Sequence, residues 1–148
     1  MATRSTAPTF RAALLAALQA RPALSAVPVT YSHPGDAREN EAIYLGEVRG
    51  SSDIPTIRAA RKARQERYTL DVWIDVDAVG PDAQTASERA WTLYGELEDI
   101  LADDPSVGLP APFWAVLGDF TETLMFDEAR RGWGSLLRAG IDVEARLT

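Results

Sequence analysis

The chain reads as an α+β two-layer sandwich, with a mixed or antiparallel sheet of about five strands, two helices on one face and a long exposed loop. Three observations predict this. Tyr68, Leu70, Val72, Ile74 and Val76 alternate with Thr69, Asp71, Trp73 and Asp75, the two-residue period of a strand with one dry and one wet face. Phe10, Ala13, Leu14, Ala17 and Leu18 recur at helical spacing, as do Ala86, Ala90, Leu93, Leu97, Ile100 and Leu101. Two long strand-like runs close the sequence, so strands and helices are segregated instead of alternating regularly.

The elements follow in order. Residues 1–8 are polar and contain a proline, which predicts a flexible arm. Thr9 is placed to cap a helix beginning at Phe10, and Arg21-Pro22 ends it because a residue before proline avoids the helical region. Val27–Tyr31 is a short strand, with Pro28 confining it to a sheet edge. His33-Pro34-Gly35-Asp36 is a turn, and Glu41–Val48 a second strand. Residues 49–67 contain Gly50-Ser51-Ser52-Asp53 and Pro55 and are expected to form an extended loop. A short helix over Ile57–Ala63, or a backward extension of the following strand through the arginines, would fit there.

The strand through Val76 closes at Asp77–Pro81. Asp82 then supplies both an N-cap and a negative charge for the helix dipole. The large aliphatics of this second helix should each contribute ~1.5–3 kcal/mol on burial before entropy costs. Asp103-Asp104-Pro105 terminates it, and Gly108, Pro110 and Pro112 mark a loop. Phe113–Phe126 is a long strand with Gly118 as a candidate bulge. Gly132–Leu147 is its hairpin partner across a charged turn at Asp127–Arg131.

A length of 148 residues fits one domain, 1–148, with a core of ordinary size. Hydrophobic content is 46% and charged content 25%, normal for a soluble globular chain. No apolar run reaches a membrane span. The stretch Phe10–Ala20 carries Arg11 and Gln19 and is expected to be a folded amphipathic helix, not a cleaved leader. Cysteine is absent, which excludes disulfides and cysteine-ligated metal. The net charge of −7 is unevenly spread: residues 1–67 hold 10 basic and 6 acidic side chains (+4), and residues 68–148 hold 5 and 16 (−11). Such asymmetry suits self-association or a charged partner.

Chemistry-bearing residues are sparse. His33, the single histidine, lies in a turn with no partner implied by sequence. Asp71, Asp75 and Asp77 share a strand face and could hold Mg²⁺ as in a metal-dependent nuclease. The alternative is a solvated strand face. Phosphate loops, nucleophile elbows and zinc helices are missing. No catalytic, cofactor or metal residue is therefore assigned. The basic residues Arg58, Arg61, Lys62, Arg64 and Arg67 lack the interleaved aromatics of a nucleic-acid platform and better suit an acidic neighbouring subunit. Trp73, on the wet face, and Trp133, near the hairpin turn, are mild interface signals.

Over nearly its whole length the layout resembles the tail terminator proteins of long-tailed bacteriophages and related gene-transfer particles. The resemblance rests on the opening helix Phe10–Leu18, the Val27-Pro28-Val29 strand and the exposed segment before Tyr68. The Ala-rich helix after Pro81 and the closing hairpin ending in Leu137-Arg-Ala-Gly-Ile-Asp-Val complete it. It implies a virion protein without an active site: a homohexameric ring that caps the tail tube, stops its growth and presents a surface to the head-completion or connector protein. DNA would pass only through the lumen, and no membrane would be involved. Candidate subunit or tube contacts are then Arg58, Arg61, Lys62, Arg64, Arg67, Trp73 and Trp133. The alternatives are another neck or tail-completion adaptor and, from a different class, the small Mg²⁺-dependent nuclease.

Overall fold

A computed structural model describes residues 4–35, 40–56, 63–80 and 82–147, with the backbone alone at 54–56, 63 and 78–80. Helix α1 spans Ala7–Gln19 and is followed by a 3₁₀ turn at Pro22–Leu24. Strands β1 (Val29–Thr30), β2 (Glu41–Thr56) and β3 (Ala63–Gly80) precede helix α2 (Ala83–Asp103). The hairpin β4 (Phe113–Asp127) and β5 (Gly132–Leu147) ends the chain. The five strands form one mixed sheet in the order β1-β2-β3-β5-β4. β1 runs parallel to β2, and every other neighbouring pair is antiparallel.

The alternation in β3 fixes the layers. Tyr68, Leu70, Val72, Ile74 and Val76 lie buried beneath the helices, beside Leu137, Ala139, Ile141 and Val143 of β5. Phe10, Leu14 and Leu18 close this face from α1, and the predicted α2 stripe from Ala86 to Leu101 is buried as expected. Asp82 caps α2 by accepting a 2.7 Å hydrogen bond from the Thr85 N–H. The ladder between β4 and β5 slips between Leu117 and Phe120, so Gly118 lies at the anticipated bulge.

Several expectations are corrected. The opening helix starts at Ala7, and Thr6, not Thr9, is its N-cap residue. Thr6 makes no side-chain cap. Its hydroxyl and N–H both donate to Glu66 Oε1, at 2.7 and 2.9 Å, which buries Thr6 against β3 and shortens the expected arm. The strand expected over Val27–Tyr31 is paired only at Val29 and Thr30, on the sheet edge that Pro28 implied.

The larger correction concerns the loop expected over 49–67, whereas the alternative of a backward extension of the following strand through the arginines holds for Arg64 and Arg67. β2 continues to Thr56 and β3 begins at Ala63, with Gly50 opposite Tyr68 and Ser52 opposite Glu66. Gly, Ser and Asp are poor strand formers, but backbone pairing with a long central strand overrides that preference. Gly50 suits the pairing in a specific way, since a Cβ there would collide with the Arg67 carbonyl and the Tyr68 side chain. What remains of the loop, 57–62, and most of the possible helix over 57–63 lie outside the described residues.

Candidate functional site

The face of the sheet turned away from the helices carries the polar residues of β3. It is much drier than alternation suggests: Asp71 is 4% exposed, Asp75 6% and Asp77 9%. Arginines cover two of them, Asp71 from both neighbouring strands and Asp77 from the β4–β5 turn. Arg49 on β2 donates to Asp71 at 2.9 and 3.3 Å, and Arg138 on β5 donates to it at 3.1 Å. Burial alone raises the Asp71 carboxyl pKa. Hydrogen bonds and charge from Arg49, and then from Arg138, outweigh that and hold it below the usual carboxylate range. Thr69 donates to Asp142 at 2.7 Å, and Arg67 meets Glu144 at 2.6 Å. These pairs follow the β3–β5 register and form a row of cross-strand contacts.

This arrangement has a direct chemical consequence. Asp71 is neutralised by two guanidinium groups, and Asp77 lies 3.4 Å from Arg130. Among the described residues no three His, Asp or Glu side chains converge as a metal-binding group. Asp71 and Asp77 anchor arginines, an arrangement unlike the open ligand set that two-metal chemistry requires. His33 accepts a 2.9 Å hydrogen bond from the Gly35 N–H and packs edge-on to Tyr44, which is a turn role.

The sequence-derived contact residues are scattered. Arg64 and Arg67 are exposed at the start of β3, whereas Arg58, Arg61 and Lys62 lie outside the described residues. Trp73 is half-buried on the outer face and stacks on Tyr44, with ring centroids 6.4 Å apart. Gly46 leaves room for it, since a Cβ there would lie 2.7 Å from the indole nitrogen. Trp133 sits at the far end of the sheet on the helix side, 5.5 Å from the Phe126 ring. Nothing brings the two tryptophans together with Arg64 and Arg67.

The structure instead reveals an apolar strip that the sequence did not single out. Among the described residues the exposed large hydrophobics are Tyr31, Trp114, Val116, Phe120, Leu124, Met125 and Phe126, and all but Tyr31 belong to β4. Among the described strands β4 pairs only with β5, so it is a sheet edge fifteen residues long, along which the Ala115 N–H donates to the Pro105 carbonyl of the preceding loop at 2.9 Å. Trp114, Val116 and Met125 face outward with Glu144, Asp142 and Gly134, while Phe120, Leu124 and Phe126 lie on the helix side. Trp114 and Val116 border a groove of about 470 Å³ shared with Arg49, Arg67, Asp142 and Glu144. One signal was available in the sequence: unlike β3, the run from 113 to 126 carries large apolar residues at both phases of the alternation.

No family model matches the chain, and no curated protein matches it. Among solved structures, a chain of the virion of a native gene transfer agent (GTA) particle has the same fold. That chain aligns over 97% of this one and 98% of its own length, with a TM-score of 0.59 and 16% sequence identity.

Proposed function

We propose that the protein is a structural component of a phage-like virion, and specifically a tail terminator. In this role copies of the single domain form a homohexameric ring on the last tube layer, end tube polymerisation and offer the opposite surface to the head-side connector. The observation that carries the proposal is the end-to-end likeness to a chain of an assembled gene transfer agent virion. The chain's own surfaces support it. On the outer sheet face Asp71 is tied to two arginines, and among the described residues exposed apolar side chains are concentrated on β4. Such a surface suits permanent contacts between proteins better than turnover of a substrate. No described helix is long and apolar enough to cross a membrane.

Particles assembled without this protein test the reading. Loss of a terminator should give tubes of uncontrolled length and no joined heads. Tubes of normal length that fail only in head attachment would point to a neck or completion adaptor. Unaltered particles would end the virion reading altogether.

The charge asymmetry gives a second test. A ring built from one repeated contact needs two different complementary patches on each subunit. The Arg58–Arg67 segment is basic, and the second half of the chain is acidic. Reversal of Arg61, Lys62 and Arg64 to Glu should leave the far-UV circular dichroism and thermal midpoint unchanged while weakening ring or tube attachment at low salt. Unchanged assembly of the triple variant in negative-stain images would remove this segment from the contact.

A further inference from the structure

The helix layer stops short of one edge of the sheet. Helix α1 lies over the β1–β2 side, where Arg11 donates to the Gly46 and Tyr31 carbonyls and Gln19 to that of Val29. Helix α2 packs on β3 and β5 and reaches β4 through Ser87, Trp91 and Tyr94. Beyond them the same face of β4 carries Phe120, Leu124 and Phe126, still 56%, 43% and 50% exposed. We propose that these three side chains receive helix α1 of a second copy of this chain, which completes the helix layer over β4. The inference rests on the ring reading and assigns its contact.

Four observations choose this occupant. The first is the layer itself. The strip continues the face that helices cover elsewhere in this fold, and a helix is what such a face packs against. Glu122, between Phe120 and Leu124, does not interrupt it. Its carboxylate accepts from Ser87 at 2.7 Å and from Ser135 at 2.8 Å, and is drawn towards α2 and β5. The Pro105 carbonyl that takes the Ala115 N–H lies against the first half of β4, away from the strip.

The second is the outer side of α1. Pro8, Thr9, Ala12 and Ala16 are exposed there, with no charged side chain among them. The exposed side of α2 instead bears Glu88, Glu98, Asp99 and Asp103. The third is charge. β4 holds Asp119, Glu122 and Asp127 and no base. α1 holds Arg11 and no acid, and Arg4 and Arg21 flank it. Arg11 bonds two carbonyls and no carboxylate among the described residues. The fourth is position. α1 and the strip lie towards opposite ends of the strand order, so the contact is heterologous and can repeat head to tail until a ring closes. The three half-exposed side chains present roughly 300 Å² of apolar surface, a patch of the size often functional on a monomer. It forms the core of the contact, inside a polar rim that brings the total towards the usual ~800 Å² per partner.

The absence of cysteine makes the contact testable by cross-linking. Ala12→Cys marks α1 and Leu124→Cys marks the strip, both at exposed positions. The two are made as separate full-length variants, co-expressed, and treated with a short bis-maleimide both as soluble protein and in assembled particles. Covalent dimers should form in the mixed protein and in neither variant alone. Dimers from Leu124→Cys alone would mean a two-fold contact between strips and would overturn the inference. Absence of mixed dimers from both preparations would overturn it too. Rings visible in negative stain without mixed dimers would leave the ring reading intact, whereas protein found neither in rings nor in particles would sink both. A further substitution on α1 tests the role of charge. Ala16→Glu added to the Ala12→Cys marker should cut the mixed yield about tenfold at low salt, and Ala16→Lys should not. Ala16 is exposed, so neither change touches the core. Equal yields from the two would overturn the choice of α1.

Discussion

Phe10→Ala should be the most damaging single truncation in the described core. Phe10 is fully buried, and its ring lies 6.3 Å from that of Tyr68 and 5.4 Å from that of Phe113, both tilted. It therefore ties α1 at once to the central strand and to the start of β4, two strands away in the sheet. Truncation removes the transfer energy of the ring and leaves a cavity between elements far apart in the chain, costing about 3–5 kcal/mol. For a chain of this size that corresponds to a fall of roughly 10 °C or more in thermal midpoint. Phe10→Leu refills most of the space and should cost about 1–1.5 kcal/mol. Urea melts of both variants check the ranking. Near-equal midpoints would show that α1 is not a cooperative part of the fold.

Asp71→Asn should produce the second-largest loss, and one that depends on pH. The side chain is nearly inaccessible and receives Arg49 from one neighbouring strand and Arg138 from the other. Asparagine keeps the shape but removes the charge both guanidinium groups are arranged around. The cost is about 1.5–3 kcal/mol at neutral pH, the usual worth of hydrogen bonds to a charged group. Since its folded pKa is depressed, the carboxylate stabilises the fold fully above its unfolded value of about 3.9. That contribution is lost as pH falls through the folded value. The gap between wild type and Asp71→Asn should therefore be widest at about pH 7 and shrink towards about pH 2. Urea midpoints across that range measure it. A gap constant with pH would mean that the pair contributes packing alone.

The same aspartate shows how sequence and structure divide the account. Two-residue alternation puts Asp71 on the face of β3 opposite Leu70 and Val72, and the sheet obeys that. Alternation also predicts that this face is wet, and it is not. Whether a strand face meets water depends on which strands flank it and what side chains they bring. β3 is central, and the arginines that cover it come from positions 49 and 138, far from it in sequence. The 49–67 segment fails for a related reason: its glycine and serines carry no strand signal of their own, and pairing with β3 alone makes them a strand.

By itself the sequence determined what local repetition can encode: the helical stripes, the Asp82 cap, the β3 alternation, the Gly118 bulge and the closing hairpin. It also set an uneven charge and a shortage of catalytic groups. Only the tertiary structure decided that β4 is an edge, that its apolar side chains are left uncovered, and that Asp71, Asp75 and Asp77 are buried. Periodicity is written within a few residues, because helix and strand geometry couple near neighbours. Edges, cover and burial follow from the order of strands, which long-range pairing sets and no short window of sequence contains.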